Sequence, residues 1–165
     1  MLNILESTLD PETLSEMLAE AKTLPLARDN PSYPKCGVFT EQTAPVLFAA
    51  LKLFAELHGL TLKYIQVNNA TVGDGVGWHN DLQEGTDTGL ILYLTRDQFD
   101  EASGGFLEMG FAADARVEIL ERLYPKMGRA VLFDNTNPAL VHRVEPLKQA
   151  RERYTVLALF YSSSR

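Results

Sequence analysis

The chain has 165 residues, a length that fits one domain at roughly 100 to 200 residues per domain. Fifteen basic and 22 acidic side chains give a net charge of -7, which disfavours nucleic acid as a partner because such binding depends on many phosphate contacts. Cys36 is the only cysteine, which excludes an intramolecular disulfide and a cysteine-based zinc site. With no signal-peptide or membrane-spanning pattern, we expect a cytoplasmic protein that does not bind membranes.

Two amphipathic helices are predicted in the first third of the chain. Asp10 can cap a helix over 11–23, in which apolar residues recur at helical spacing. A second helix is predicted over 43–58, and His58 in its last turn can contact free backbone carbonyls. Between the helices, the proline- and glycine-containing segment 25–42 predicts a long irregular loop that covers the site.

From residue 60 onward, short β-type runs alternate with turn residues. About eight strands are expected, over 60–72, 78–82, 89–95, 104–109, 115–120, 129–135, 140–147 and 154–162. The segment 117–124 also fits a short helix. Strands that follow two helices predict a mainly β fold, an antiparallel jelly roll supported by the helices. We expect one domain over 1–165, with the helices and cover loop in 1–59 and the jelly-roll core in 60–165.

Three side chains could together bind a metal ion. His79 and Asp81 stand two residues apart in a predicted strand, so both would project to the same face. His142 follows 63 residues after His79 in another predicted strand. Two histidines and one carboxylate are typical of mononuclear Fe(II) oxygenases, in which the remaining coordination positions accept a co-substrate and dioxygen.

A 2-oxo acid bound to such a metal would place its far carboxylate against a cation. Arg151 and Arg153 lie at the start of the last predicted strand and point to one face. An arginine suits a carboxylate because its planar fork makes two parallel hydrogen bonds. Either arginine could equally be a surface cation beside Glu145 or Glu152.

Short motifs follow one another along the chain in a specific order. They are the glycine-containing run 73–77 before His79 and Asp81, Leu92-Tyr93-Leu94, Ser103-Gly104-Gly105, Pro125 to Gly128 before Val131-Leu132-Phe133, then His142 and Arg153-Tyr154. In this order they resemble the 2-oxoglutarate and Fe(II)-dependent dioxygenases, and within that family the prolyl-hydroxylase-like branch. The resemblance extends from about Lys63 to Tyr161.

The resemblance implies a role for each matching residue. His79, Asp81 and His142 would bind iron, Arg153 would bind the distal carboxylate of 2-oxoglutarate, and the Tyr93 hydroxyl would also contact that carboxylate. Arg153 is preferred to Arg151 because an aromatic residue and an apolar strand follow it, as in the family. The family's arginine comes slightly sooner after the histidine, so Arg151 remains an alternative anchor.

The resemblance also implies a fold and an activity. The fold would be a double-stranded β-helix, the cupin-like jelly roll. The activity would be hydroxylation of an unactivated C–H bond in a prolyl or other peptidyl residue, or in a small amino-acid-like metabolite, with release of succinate and carbon dioxide. Fe(II), 2-oxoglutarate and dioxygen would take part, with ascorbate as a candidate reductant. Asp81 favours hydroxylation because related halogenating enzymes have a small residue there.

Other residues are candidates to line the substrate side or to orient the ligands through hydrogen bonds. They are Trp78, Asn80 and either Asn68 or Asn69. A second cover loop is expected over 83–88, with acidic side chains at Glu84 and Asp87.

Three other functions are weighed against this one. A jelly-roll module could bind metal and 2-oxoglutarate without turnover. A zinc hydrolase is disfavoured because no glutamate is placed as a general base and Arg153 and Tyr93 would lack a task. Demethylation of nucleic acid is disfavoured because Leu159 occupies the position at which nucleic-acid demethylases of this scaffold have a second arginine. The glycines of 73–77 predict a turn rather than a phosphate-binding loop, because no helix follows.

Overall fold

The structure is a computed structural model that describes residues 2–6, 9–114 and 116–162. Within these ranges, two helices and ten strands follow one another along the chain. They are β1 (Leu2–Leu5), α1 (Pro11–Thr23), β2 (Lys35–Phe39), α2 (Pro45–Leu57), β3 (Leu60–Asn69), β4 (Val76–His79), β5 (Thr88–Leu94), β6 (Leu107–Ala113), β7 (Arg116–Leu123), β8 (Ala130–Asp134), β9 (Leu140–Val144) and β10 (Tyr154–Ser162).

Both predicted helices are confirmed. The Asp10 side chain accepts hydrogen bonds from the backbone N–H groups of Glu12 and Thr13, which caps α1. At the end of α2, Gly59 adopts a φ of 65°, a left-handed conformation that glycine accepts without steric cost. His58 Nδ1 lies 2.8 Å from the Phe54 carbonyl oxygen, as expected for an imidazole at a helix end. No helix in the described ranges is long and apolar enough to span a membrane.

The strands form two antiparallel sheets. The larger sheet has the order β1-β8-β5-β10-β3-β2, and the smaller has the order β4-β9-β6-β7. The apolar stripes of α1 and α2 pack against one face of the larger sheet, where residues such as Leu18, Leu51 and Ile65 are buried. A second apolar cluster, which includes Leu107 and Leu157, fills the space between the sheets. The expected mainly β jelly roll with supporting helices is therefore confirmed.

All eight predicted strands are present as β3 to β10, but the count was too low by two. The prediction of an irregular loop over 25–42 is wrong in part, because β2 lies inside it and pairs with β3 as the edge of the larger sheet. β1 pairs with β8, so the sheets are not confined to residues 60–165. The ambiguous segment 117–124 is strand as far as residue 123, not helix.

Glu108 on β6 ties together the outer face of the smaller sheet. Its side chain is 0% exposed and accepts hydrogen bonds from Arg122 on β7 at 2.7 and 2.9 Å and from Arg143 on β9 at 2.5 Å. The Arg143 guanidinium lies 5.1 Å from the Trp78 ring centre on β4, so one network contacts all four strands. Burial by itself would raise the pKa of Glu108, but the hydrogen bonds and charges of the two arginines hold it below its ordinary value.

We expect Glu108→Gln to lower the free energy of unfolding at neutral pH by about 1.5–3 kcal/mol, the range for hydrogen bonds to charged groups. Because the pKa of Glu108 is lower in the folded than in the unfolded state, its contribution is complete above the ordinary value of 4.5 and is lost as pH falls through the folded-state value. Urea unfolding at a series of pH values should therefore show the two proteins converging in acid. Glu118→Gln, at an exposed position on β7, is the control, and a loss from Glu108→Gln that is constant with pH would contradict the prediction.

Candidate functional site

His79, Asp81 and His142 lie together at one edge of the smaller sheet. The pairing of β4 with β9 places His79 directly opposite His142, and their ring centres are 4.2 Å apart. Asp81 Oδ1 is 3.6 Å from His79 Nε2, and Asp81 Oδ2 is 3.3 Å from His142 Nε2. One ligand atom from each residue lies within 4.8 Å of the others, so the predicted triad converges.

The route by which Asp81 reaches the triad differs from the prediction. β4 ends at His79, so Asp81 lies in the irregular segment that follows, and the expectation that both residues share a strand is wrong. The buried Asn135 side chain donates from Nδ2 to the Asp81 backbone oxygen at 3.0 Å and to Thr86 Oγ1 at 3.0 Å. Asn135 therefore holds the segment that carries Asp81, a role that no sequence motif indicated.

The orientation of His79 suits metal binding through Nε2. Its Nδ1 lies 2.8 Å from the Gly77 carbonyl oxygen, an acceptor that requires the proton on Nδ1. The Nε2 lone pair is then free for a metal, an arrangement common among histidine ligands.

Electrostatics favour the metal-binding forms of two members of the triad. Burial and the nearby His142 lower the pKa of His79, against the opposite effects of the Gly77 carbonyl and Asp81. Burial by itself would raise the pKa of Asp81, but the hydrogen bond and charge of His142, with that of His79, outweigh it and lower the pKa. A neutral imidazole and an ionised carboxylate are the forms that bind a divalent cation. The donor set, two nitrogens and one oxygen, fits Fe(II).

A cavity of about 230 Å³ opens between the two sheets beside the triad. Arg153, which is 2% exposed, lines it and donates from Nε to the Gly105 carbonyl oxygen at 2.9 Å, which leaves its two Nη groups for a ligand. Its guanidinium carbon lies 5.6 Å from the ring centre of Tyr93. Among the described residues, no carboxylate pairs with Arg153, although a buried arginine normally has one.

Tyr93 adds a second group that requires a ligand. Its side chain is fully buried, and its hydroxyl makes no well-formed hydrogen bond within the described part of the chain, although the Arg153 guanidinium is close enough to interact with it. Burial raises the pKa of Tyr93, an effect that the positive charge of Arg153 opposes. A carboxylate in the cavity would accept from both the hydroxyl and the guanidinium, so the pair fits the distal carboxylate of 2-oxoglutarate.

The two candidate anchors differ sharply in position. Arg151 is exposed and donates to Gln149 Oε1 at 3.0 Å, and it does not line the cavity. Arg153 lines the cavity together with Thr155, which pairs with Tyr93 across β10 and β5. Thr155 was not predicted, although it stands two residues after Arg153, the spacing at which side chains of extended backbone share a face.

The mouth of the cavity is formed by part of the predicted cover loop. Asp29, Asn30, Tyr33 and Pro34 line it. Arg28 holds this segment through a two-point ion pair with the buried Asp74, at 2.5 and 2.8 Å. The expected second cover loop over 83–88, all of which is described, lies outside the lining.

The four candidates for the substrate side divide between two faces. Asn68 lines the cavity. Asn69 donates instead to the Tyr154 hydroxyl at 3.1 Å, Trp78 lies on the outer face under Arg143, and Asn80 donates to the Pro138 carbonyl oxygen at 3.3 Å. Trp78 and Asn80 therefore belong to the support of the site rather than to its lining.

Comparison with known proteins agrees with this geometry. The sequence model of the 2OG-Fe(II) oxygenase superfamily matches residues 65–161, more than half of the chain. The chain belongs to this superfamily. Its members use Fe(II) and 2-oxoglutarate with dioxygen. This agrees with the two nitrogens and one oxygen of the triad and with the buried Arg153 and Tyr93, which suit a carboxylate. None of the curated proteins searched matches the chain.

Solved structures show the same fold at low sequence identity. A Pseudomonas putida prolyl-4-hydroxylase is 19% identical, with a TM-score of 0.74 over 97% of this chain and 91% of that chain. A Trichoplax adhaerens prolyl hydroxylase, solved with a peptide fragment of hypoxia inducible factor, is 16% identical, with a TM-score of 0.69 over 98% of this chain and 83% of that chain. The non-heme alpha ketoglutarate dependent epimerase SnoN from nogalamycin biosynthesis is 13% identical, with a TM-score of 0.76 over 98% and 78%.

We expect His79→Ala to weaken Fe(II) binding more than about 100-fold, beyond the usual cost of altering a residue that only supports a ligand. Trp78, the single tryptophan, is adjacent to His79, so quenching of its fluorescence during an anaerobic Fe(II) titration measures the affinity. His58→Ala changes the third histidine, at the end of α2, and should bind Fe(II) like the parent protein. Equal affinity in His79→Ala and His58→Ala would contradict the assignment.

Proposed function

We propose that this protein is a single-domain 2-oxoglutarate- and Fe(II)-dependent dioxygenase. Its reaction would hydroxylate an unactivated C–H bond of a prolyl or other peptidyl residue, or of a small amino-acid-like metabolite, with release of succinate and carbon dioxide. The observation that carries the proposal is the buried pair Arg153 and Tyr93, which has no acidic partner in the described ranges and lines the same cavity as the His79–Asp81–His142 triad. A structural ion pair or a zinc site alone would leave that pair unexplained.

Each side chain of the site has a defined task in this proposal. His79, Asp81 and His142 hold iron on one face, and Arg153 and Tyr93 bind the distal carboxylate of 2-oxoglutarate. When bound, iron and the 2-oxo acid together supply the activation of dioxygen. Apolar lining from Ile91, Leu107, Val144 and Leu157 excludes water from the reaction.

The size of the cavity and the structural relatives favour a small target group. At about 230 Å³, the cavity is smaller than the roughly 300–1,000 Å³ of common ligand sites. Because iron and 2-oxoglutarate would occupy part of this volume, the remainder suits a small group such as a prolyl ring or a small amino acid, and two of the structural relatives are prolyl hydroxylases. The epimerase among the relatives indicates that the fold also supports other outcomes, so the reaction type must be tested on this chain.

We expect Arg153→Gln to weaken 2-oxoglutarate binding at least about 30-fold, because loss of one partner of a buried charge pair costs 2–5 kcal/mol. The measurement is the visible charge-transfer absorbance that appears when 2-oxoglutarate is added anaerobically to the Fe(II)-loaded protein. Arg151→Gln should bind like the parent, since Arg151 is exposed. The reverse result, with Arg151→Gln weakened and Arg153→Gln unaffected, would make Arg151 the anchor.

Turnover is tested by supplying dioxygen and measuring succinate from the loaded protein. The panel contains L-proline, other free amino acids and short prolyl peptides such as acetyl-prolyl-glycinamide, and a substrate should raise succinate release above the basal rate. A protein that forms the charge-transfer complex but releases no succinate with or without the panel would be a binding module. Absence of the complex in the parent protein would overturn the oxygenase assignment itself.

A further inference from the structure

The cavity face of β3 carries a continuous row of polar side chains. Tyr64, Gln66 and Asn68 occupy alternate positions, so they project to the same face of the strand. The Tyr64 hydroxyl donates to Gln66 Oε1 at 2.9 Å, and Gln66 Nε2 donates to Asn68 Oδ1 at 2.8 Å. Gln66 and Asn68 both line the cavity.

This row has a direction, because each amide uses its two ends differently. In the structure Gln66 turns its amide oxygen to the Tyr64 hydroxyl and its amide nitrogen to Asn68. Because an amide oxygen only accepts and an amide nitrogen only donates, Gln66 in this orientation sets that of Asn68. Asn68 Nδ2 is then the end of the row, and it has no acceptor among the residues that the structure describes. Because Asn68 is half-buried and lines the cavity, an acceptor on a ligand can reach this amide nitrogen.

Strand register places this donor between the mouth and the proposed anchor. Asn68 pairs with Cys36 of β2 on one side and with Thr155 of β10 on the other, and Thr155 pairs with Tyr93 of β5. At roughly 4.8 Å between neighbouring strands, Asn68 is about 10 Å across the sheet from Tyr93. Since Cys36 lies at the mouth with Pro34, Asn68 faces the part of the cavity that the substrate enters.

We propose that Tyr64 and Gln66 position Asn68 so that its amide N–H binds a carbonyl or carboxylate oxygen of the substrate. This inference rests on the proposed function and adds the residue that would hold its substrates, since peptides and amino acids present such an oxygen near the reacting C–H bond. Amines and hydrocarbons would leave the donor unpaired.

The first test changes the polarity of position 68. In Asn68→Ala the donor is lost, and KM for acetyl-prolyl-glycinamide or L-proline should rise about 10-fold, which corresponds to about 1.4 kcal/mol, as expected for the loss of one hydrogen bond. In Asn68→Asp the position can only accept, so KM should rise further than in Asn68→Ala, while kcat changes less than KM in both variants. Pyrrolidine, which lacks the carbonyl group, should stimulate succinate release poorly in the parent and should not distinguish the variants.

The second test changes the row behind Asn68. Gln66→Glu can accept from both Tyr64 and Asn68, so the Asn68 amide would turn its oxygen toward the cavity, and the variant should resemble Asn68→Asp. Tyr64→Phe removes only the hydroxyl that orients Gln66, and a smaller rise in KM is expected. Asn69→Ala is the matched control, because Asn69 is adjacent in sequence but bonds Tyr154 outside the cavity.

The outcomes separate this inference from the proposed function. Fe(II) and 2-oxoglutarate affinities, measured by Trp78 fluorescence and charge-transfer absorbance, should be unchanged in every variant of the row. If Asn68→Ala weakens 2-oxoglutarate instead, the donor serves the co-substrate and the inference is overturned. It is also overturned if Asn68→Asp is tolerated better than Asn68→Ala, or if the parent protein binds 2-oxoglutarate yet responds to none of the carbonyl-bearing probes.

Discussion

The pairing of β4 with β9 is the contact on which the whole candidate site depends. It sets His79 against His142, 63 residues apart in sequence, before any metal contributes energy. Burial, and after it the nearby His142, lower the pKa of His79. On the outer face of the same sheet, Glu108 binds Arg143 of β9, and Arg143 packs against Trp78 of β4, so these contacts hold the two strands together. The triad is thus preorganised by a polar network on the opposite side of the same sheet.

The fold could be predicted where the pattern was periodic and the burial two-sided. The apolar stripe of α1 has the spacing of a helix, and the apolar runs of β5 and β10 are typical of buried strands, so these three elements could be predicted. β2 was not predicted because it is an edge strand with few β-branched residues. It directly follows Pro34 and contains Gly37, two residue types that are uncommon in strands. Its pairing with β3 depends on tertiary contacts, which local propensity does not contain. The same holds for β1, a short strand at the far edge of the larger sheet.

The site could be predicted as far as residue type determines chemistry. The donor atoms of two histidines and an aspartate indicate a metal site, and this inference does not depend on whether each residue lies in a strand or in a loop. The choice between Arg151 and Arg153 could not be made from alternation, because both positions have the same parity and precede β10; only burial separates them. The row Tyr64, Gln66 and Asn68 has the period of a strand with a solvent-exposed polar face. That this polar face lines a cavity is seen only in the structure, where the second sheet packs opposite it.

The loop that contains Asp74 contacts the cover segment, leads into β4 and binds the segment that leads to Arg153. Asp74 binds Arg28 of the cover segment, and its backbone oxygen accepts from Leu147, in the segment that leads to Arg153, at 3.0 Å. The same loop continues into β4 and therefore into His79. Asp74 is 2% exposed, so its charge requires the arginine partner, and removal of either group would leave the other poorly compensated. The cover segment, the candidate metal ligands and the proposed anchor of the co-substrate therefore share one support.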